Sequence, residues 1–243
     1  MPIEIVLVRH AICTGNAAER ASCHGDHTLF TPEIRKKKSV EWPLLPLGVK
    51  QSEEVGNKIR QSISERFDYY ITSDILRAVE TAQHFGFKNV EWKTDMLWRE
   101  RNWGGVENLP LPERQKVFNR LGIPHTEDSL GWRPPGGESM NSIVRRVESF
   151  LKWAQHHLSG KRLLIVSHGG PVQAMRVIQH NVAPQDYRLF ISGDNYIRNC
   201  HVFRYSMRSY GDVNIPKFKL ERSLFAKANG DWQDSTQELH NNK

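Results

Sequence analysis

Arg9 and His10 close the apolar run Ile3 to Val8, and His168 closes a second run, Leu163 to Val166, in the stretch Ser167-His168-Gly169-Gly170-Pro171. Arg77 lies in the first turn of a helix that follows Tyr69-Tyr70-Ile71-Thr72 and Ser73-Asp74. Short runs of Ile, Val and Leu bounded by turn signals read as fully buried strands, and open α/β sheets bind ligands at the carboxyl ends of such strands. Three strand-to-helix junctions therefore offer a guanidinium or an imidazole at one edge of a sheet. Helix amino termini add free N–H groups and a favourable dipole, so the combination suits an anion. A single basic pair after a strand marks only where the strand leaves the core; three junctions of this kind point further.

A carboxyl accompanies them. Glu100 stands in Leu97-Trp98-Arg99-Glu100-Arg101-Asn102-Trp103-Gly104-Gly105. Two tryptophans and two arginines around one glutamate fit a cation–π cluster on the surface. They also fit a carboxyl held among aromatics that keeps a proton near neutral pH, as a general acid must.

The elements that position these groups follow from periodicity. Val49, Val55, Ile59 and Ile63 recur at helical spacing from Leu47 to Phe67, and a strand and helix occupy Asp68 to Phe87. A short strand is expected at Val90 to Trp92 and a short helix at Leu111 to Leu121; Pro124 to Gly137 is a proline- and glycine-rich loop. Glu138 to His157 is the longest helical pattern, with Ile143, Val147, Phe150, Leu151 and Ala154 on one side, and a further helix runs from Pro171 to about His180. Ile197 to Tyr205 alternates as an edge or antiparallel strand would, and Phe218 to Leu224 adds another. Ala17 to Pro46 shows no periodicity and is expected to be a loop serving as a flap over the site. Within it, His24, Asp26 and His27 match no metal-ligand spacing and read as a polar surface loop. The run Arg35-Lys36-Lys37-Lys38 reads as a solvated face, since no aromatic residues alternate with it as a nucleic-acid stacking platform requires.

The 243 residues, 38% hydrophobic and 25% charged, suffice for one large core. We expect a single domain over 1–227, with the flap as an insertion at about 17–46, and a frayed polar C-terminal tail over 228–243. A net charge of +7 favours acidic partners but says nothing of the fold. Cys13, Cys23 and Cys200 are too few for a disulfide framework, so a reducing compartment is expected. The chain enters a strand at once, without a basic n-region, and nowhere do eighteen apolar residues run together. The expected location is the cytoplasm, away from membranes.

Six ordered blocks carry a resemblance: Leu7-Val8-Arg9-His10-Ala11, Leu47-x-x-x-Gln51, Ser73-Asp74-x-Leu76-Arg77-Ala78-x-x-Thr81-Ala82, Glu100-Arg101-x-x-Gly104, Gly136-Gly137-Glu138-Ser139 and Ser167-His168-Gly169-Gly170. From Val6 to about Arg176 the chain resembles the histidine phosphatase superfamily, also called phosphoglycerate mutase-like. The resemblance implies an α/β fold, a three-layer α/β/α sandwich with a mostly parallel central sheet. It also implies a metal-independent phosphomonoester hydrolase without cofactor that acts on small phosphorylated metabolites through a phosphohistidine. In it His10 matches the nucleophile; Arg9, Arg77 and His168, the last as an imidazolium, match the groups that hold phosphoryl oxygens; and Glu100 matches the acid that protonates the leaving oxygen. Asn16, Thr14, Gly169, through its N–H, and Arg101 are assigned to substrate binding.

These residue types suit the reaction, because phosphoryl transfer spreads negative charge over three equatorial oxygens and catalysis is mainly positioning and electrostatic stabilisation. Ala11 stands where glycine is usual, and Cys13 and Gly15 stand where serine and tryptophan are common. His168-Gly169-Gly170-Pro171 and Arg133 to Ser139 resemble the phosphatase branches more than the glycolytic mutases. Mutase-type transfer and a non-catalytic phospho-ligand binder or scaffold are the alternatives. The expected partner is a phosphorylated small molecule, with no nucleic acid and no membrane, and the chain is expected to be a monomer or a homodimer.

Overall fold

The computed structural model of the chain describes residues 1–124, 129–192, 196–207, 218–227 and 230–236. The strands are Glu4–Arg9 (β1), Tyr69–Thr72 (β2), Trp92–Thr94 (β3), Arg162–Ser167 (β4), Val202–Met207 (β5), Phe218–Ala226 (β6) and Trp232–Asp234 (β7). They form one sheet in the order β3-β2-β4-β1-β5-β6-β7. The β2/β3, β2/β4 and β1/β4 pairs are parallel, while β5 runs antiparallel to β1 and β6, and β7 antiparallel to β6. Five strands thus share one direction, with β5 and β7 opposed. The helices are Thr14–Cys23 (α1), Pro32–Lys36 (α2), Pro46–Ser62 (α3), Leu76–Gln83 (α4), Leu111–Leu121 (α5), Met140–His157 (α6), Gly169–His180 (α7) and Tyr187–Phe190 (α8).

The apolar runs at β1 and β4 are continuous because both faces of the sheet are covered. Ile5, Leu7, Leu163 and Ile165 pack with Ile143, Val147, Phe150 and Met175 of α6 and α7. Val6, Val8, Leu164 and Val166 pack with Val55 and Ile59 of α3 and Ala78 and Ala82 of α4. Burying each such Val, Leu or Ile contributes about 1.5–3 kcal/mol. The register Val8↔Val166 and Arg9↔Ser167 brings the ends of β1 and β4 level, so the residues that follow them, His10 and His168, leave the sheet together.

Several expectations need correction. The segment 17–46 is not structureless: α1 runs to Cys23, α2 follows with Thr31 accepting the Ile34 N–H, and Ser39–Glu41 make a 3₁₀ turn. The buried positions of α1 are Gly15, Ala18 and Ser22, small residues that leave no hydrophobic period to read. β3 lies at 92–94 rather than 90–92, and α3 ends at Ser62 rather than Phe67. The strand expected over 197–205 begins only at Val202, because Cys200 takes a left-handed backbone (φ 56°) and with His201 places two buried residues in succession. It is also interior, lying between β1 and β6. Within the expected tail, β7 pairs with β6, and Ser235 and Thr236 continue the contact through bonds to Ser223. The remaining tail residues 228–229 and 237–243 lie outside the described residues.

His24, Asp26 and His27 engage locally. His24 Nδ1 bonds Arg20 O, His27 Nδ1 bonds Ser22 Oγ, and Asp26 accepts from Thr28. In the basic run Arg35 pairs with Glu113, while Lys36, Lys37 and Lys38 are exposed. Among the described residues no helix is long and apolar enough to cross a membrane.

Candidate active site

At the end of β1 the His10 N–H donates to Ser167 O at 2.8 Å, tying it to β4. Its ring nitrogen Nδ1 lies 2.7 Å from the Ala11 carbonyl. A carbonyl oxygen only accepts, so Nδ1 carries the hydrogen and Nε2 keeps its lone pair. Arg77 Nε donates to that Nε2 at 3.1 Å, and Arg77 Nη1 donates to Ser39 O at 2.8 Å. The His168 ring lies 5.0 Å from that of His10, centroid to centroid, inclined at 58°. His10, His168 and Arg77 are 1%, 0% and 5% exposed, so this cluster is withdrawn from solvent.

Burial, then the positive charges of Arg77 and Arg9, hold His10 well below its ordinary value, against the raising effect of the Ala11 carbonyl. His168 is likewise held well below by burial first, with Arg77, His10, Arg9 and Arg146 adding to it. Both its nitrogens, and Nε of Arg9, are buried without a hydrogen-bond partner among the described residues. Buried polar groups are ordinarily satisfied, so three unclaimed nitrogens in one cluster mark a place for an oxyanion. Arg9 is fixed by Nη1, which donates to Ile197 O and to Tyr196 Oη.

Glu100 does not sit among aromatics. Trp98 turns into the core against Phe150, and Trp103 packs on Trp132. The Glu100 carboxyl instead spans the amino end of α7, accepting from Gly169 N at 3.2 Å, Gly170 N at 2.9 Å and Arg101 N at 2.8 Å. The first amides of α7 have no intrahelical acceptor, and the two Glu100 oxygens satisfy them. The Gly169 N–H, expected to face the phosphoryl group, is thus directed at Glu100. Gly170 permits the approach: a Cβ there would stand 2.6 Å from Glu100 Oε1. Gly170→Ala is expected to push the carboxyl aside and lower kcat by about 10²-fold, the cost of misplacing a reacting group by an ångström. Steady-state kinetics with an aryl phosphate checks this, with Gly169→Ala as the milder control, since a Cβ at 169 meets nothing closer than 3.7 Å.

The remaining expected residues separate. Asn16 Oδ1 accepts from Asn199 Nδ2, which also donates to His10 O at 3.0 Å, and Asn16 lines the cleft described below. Thr14 opens α1, its N–H on Pro43 O, and is not among the lining residues. Arg101 lines the cleft, yet its guanidinium donates to Glu138 O and Trp132 O and stacks near Trp103 and Trp132, so it braces a loop rather than reaching for a ligand. Ala11 is buried in the core with Val6 and Val55, and its N–H donates to Thr81 Oγ1 at 3.0 Å. Gly15 makes room for Trp42: a Cβ at 15 would stand 1.8 Å from its indole. Residues that the sequence did not single out are Asn199; Ser39 and Trp42 of the flap; and Arg146, whose guanidinium holds Leu97 O, Arg99 O and Glu138. Of these only Trp42, the single tryptophan of the segment 17–46, carried a readable signal.

A cleft of about 860 Å³ is lined by Arg9, Asn16, Arg77, Glu100 and Gly169 and by Ser39 and Trp42 of the segment 17–46, while the buried His10 and His168 rings are not among its lining residues.

Depressed histidines also tie stability to pH. His201, buried against Phe203, is lowered to about 3, again chiefly by burial. For each of His10, His168 and His201 the unfolded chain binds a proton below pH 6.5 that the folded chain refuses until lower pH. Stability is therefore undiminished above 6.5 and falls as pH drops beneath it, by about 1.4 kcal/mol per pH unit for each histidine. Urea midpoints from pH 8 to 4 should decline accordingly; a flat profile would contradict the buried neutral rings.

Residues 5–212 match the sequence profile of the histidine phosphatase superfamily (branch 1). The chain is 26% identical over 217 residues to phosphoglycerate mutase-like protein 4 of Arabidopsis thaliana, covering 87% of this chain and 86% of that one. It is 29% identical over 172 residues to the probable phosphoglycerate mutase GpmB of Yersinia pestis (strain Pestoides F), covering 69% and 70%. Among solved structures, a mycobacterial glucosyl-3-phosphoglycerate phosphatase has a similar fold, with a TM-score of 0.66 at 18% identity over 90% of this chain and 96% of the other.

Proposed function

This chain belongs to the histidine phosphatase superfamily, and from that premise we propose that it hydrolyses phosphomonoesters of small metabolites through a phosphohistidine. The observation that carries the reading is the His10 tautomer: Nδ1 is committed to the Ala11 carbonyl, so Nε2 presents its lone pair beside Arg77 and near the His168 ring. Nε2 attacks phosphorus, the P–N bond forms as the P–O ester bond breaks, and the Glu100 carboxyl gives its proton to the leaving oxygen. Water then attacks the phosphohistidine as Glu100 takes a proton from it; the new O–P bond forms as the P–N bond breaks, releasing phosphate and returning the lone pair to Nε2. Arg77, released from Nε2 as that lone pair bonds phosphorus, moves onto an equatorial oxygen; Arg9 Nε and the His168 ring take the others. To serve, the Glu100 carboxyl must release at least one of the three amides it now holds.

The test is hydrolysis of phenyl phosphate and a panel of phosphorylated metabolites in the presence of chelator, with acid-labile phosphohistidine trapped on rapid denaturation. Turnover with label on His10 is expected; no turnover and no label on any substrate would reject the enzyme. The names of the mutase relatives keep transfer to a second hydroxyl as the other reading, and it predicts isomerised phosphoester in place of free phosphate.

A further inference from the structure

One turn beyond Gly169 on α7, Gln173 lines the cleft, and its side chain is buried at 8% exposure. Its Oε1 accepts from Arg176 Nη1 at 3.0 Å. A guanidinium can only donate, so this bond fixes which end of the amide is which. Nε2, with two N–H donors, is turned away from Arg176 and has no acceptor among the described residues. The same cleft is lined by the largely apolar side chains of Met140, Tyr187, Ile191 and Ile197. The arginines along the cleft beyond the phosphoryl cluster are, by contrast, engaged: Arg99 with Asp74, Arg114 with Glu19 and Arg146 with Glu138.

We propose that Gln173 is a specificity-determining residue, its Nε2 donating to an oxygen on the leaving group of the substrate. Preferred substrates are then phosphomonoesters whose alcohol portion joins an apolar stem to a hydrogen-bond acceptor, rather than esters that bring a second phosphate. Because Arg99, Arg114 and Arg146 each stand beside a carboxylate, they favour a second anion less, whereas an unfilled donor in the wall penalises any ligand that leaves it unpaired. The proposal rests on the cleft being the phosphomonoesterase site.

Acetylbenzyl phosphates, substituted at the 2, 3 or 4 position, and their ethylbenzyl counterparts differ by one neutral acceptor at nearly equal leaving-group acidity and serve as matched probes. The protein should favour at least one acetyl ester over its ethyl partner in kcat/KM by about tenfold, the scale of one hydrogen bond. Gln173→Glu keeps the Arg176 bond and the side-chain length but offers an acceptor where the amide offered a donor; Gln173→Met offers neither. Both should erase the preference, and should Gln173→Met fail to fold, Gln173→Glu decides. No preference in the parent, or the same preference in Gln173→Glu, overturns the proposal. Should no ester be hydrolysed, the hydrolase reading fails on its own. Calorimetric affinities for the same pairs then decide for Gln173, the acetyl preference and its loss in Gln173→Glu supporting it and equal affinities overturning it.

Discussion

His10→Ala is expected to lower hydrolysis of every phosphomonoester by on the order of 10⁴-fold or more and to remove the acid-labile phosphoenzyme altogether. The loss is large because no second group can take over. His168, the nearest imidazole, has its centroid 5.0 Å away and its ring tilted at 58°, and neither of its nitrogens is oriented by a carbonyl as His10 Nδ1 is. The fold should survive, since the His10 N–H to Ser167 O bond and the Cys200 N–H to His10 O contact belong to the backbone and remain in the alanine variant. A circular dichroism spectrum like the parent's, with phosphate release reduced to background, is the expected pair of results. Parental turnover in that variant would refute the nucleophile.

Arg77→Ala should cost about 2.7–4 kcal/mol of transition-state stabilisation, or 10²–10³-fold in kcat, the scale of a lost oxyanion donor. The argument rests on its two-pronged engagement. Nε reaches His10 and Nη1 reaches Ser39 O, so one planar guanidinium orients the nucleophile and anchors the flap. Arg77→Lys should recover little, because a single ammonium cannot occupy both directions at once. Removing Arg77 also lifts a positive charge from His10, the second cause of its depressed pKa after burial, so its pKa should rise towards 6.5. The acid limb of kcat/KM should move to higher pH in step. A variant that loses rate with an unmoved acid limb would mean that Arg77 acts on the transition state alone.

Much of this was legible in the chain because buried parallel strands leave a continuous apolar signature. β1 and β4 read as strands, and the residue types at their ends read as an anion site, without any coordinates. α5 was read at its actual bounds, Leu111–Leu121, because its pattern begins at a proline and ends at Gly122, which adopts φ +64°. Where burial uses small residues the signal disappears, as in α1, where Gly15, Ala18 and Ser22 do the packing. Where a strand is three residues long and joins a ladder only at its edge, as in β7, alternation has no length over which to show.

By itself, then, the sequence determined the class of the fold, the pair of histidines and two arginines at one sheet edge, and Glu100 as the candidate carboxyl. Only the tertiary structure decided that this carboxyl rests on the Gly169 and Gly170 amides, that Arg101 braces a loop, that Ser39 and Trp42 of the flap complete the pocket, and that the amide of Gln173 is oriented by Arg176. The reason is physical: hydrophobic periodicity is a local property set by helix and strand geometry, whereas the partner of a polar side chain is chosen across long stretches of chain by which groups the packed core brings within three ångströms.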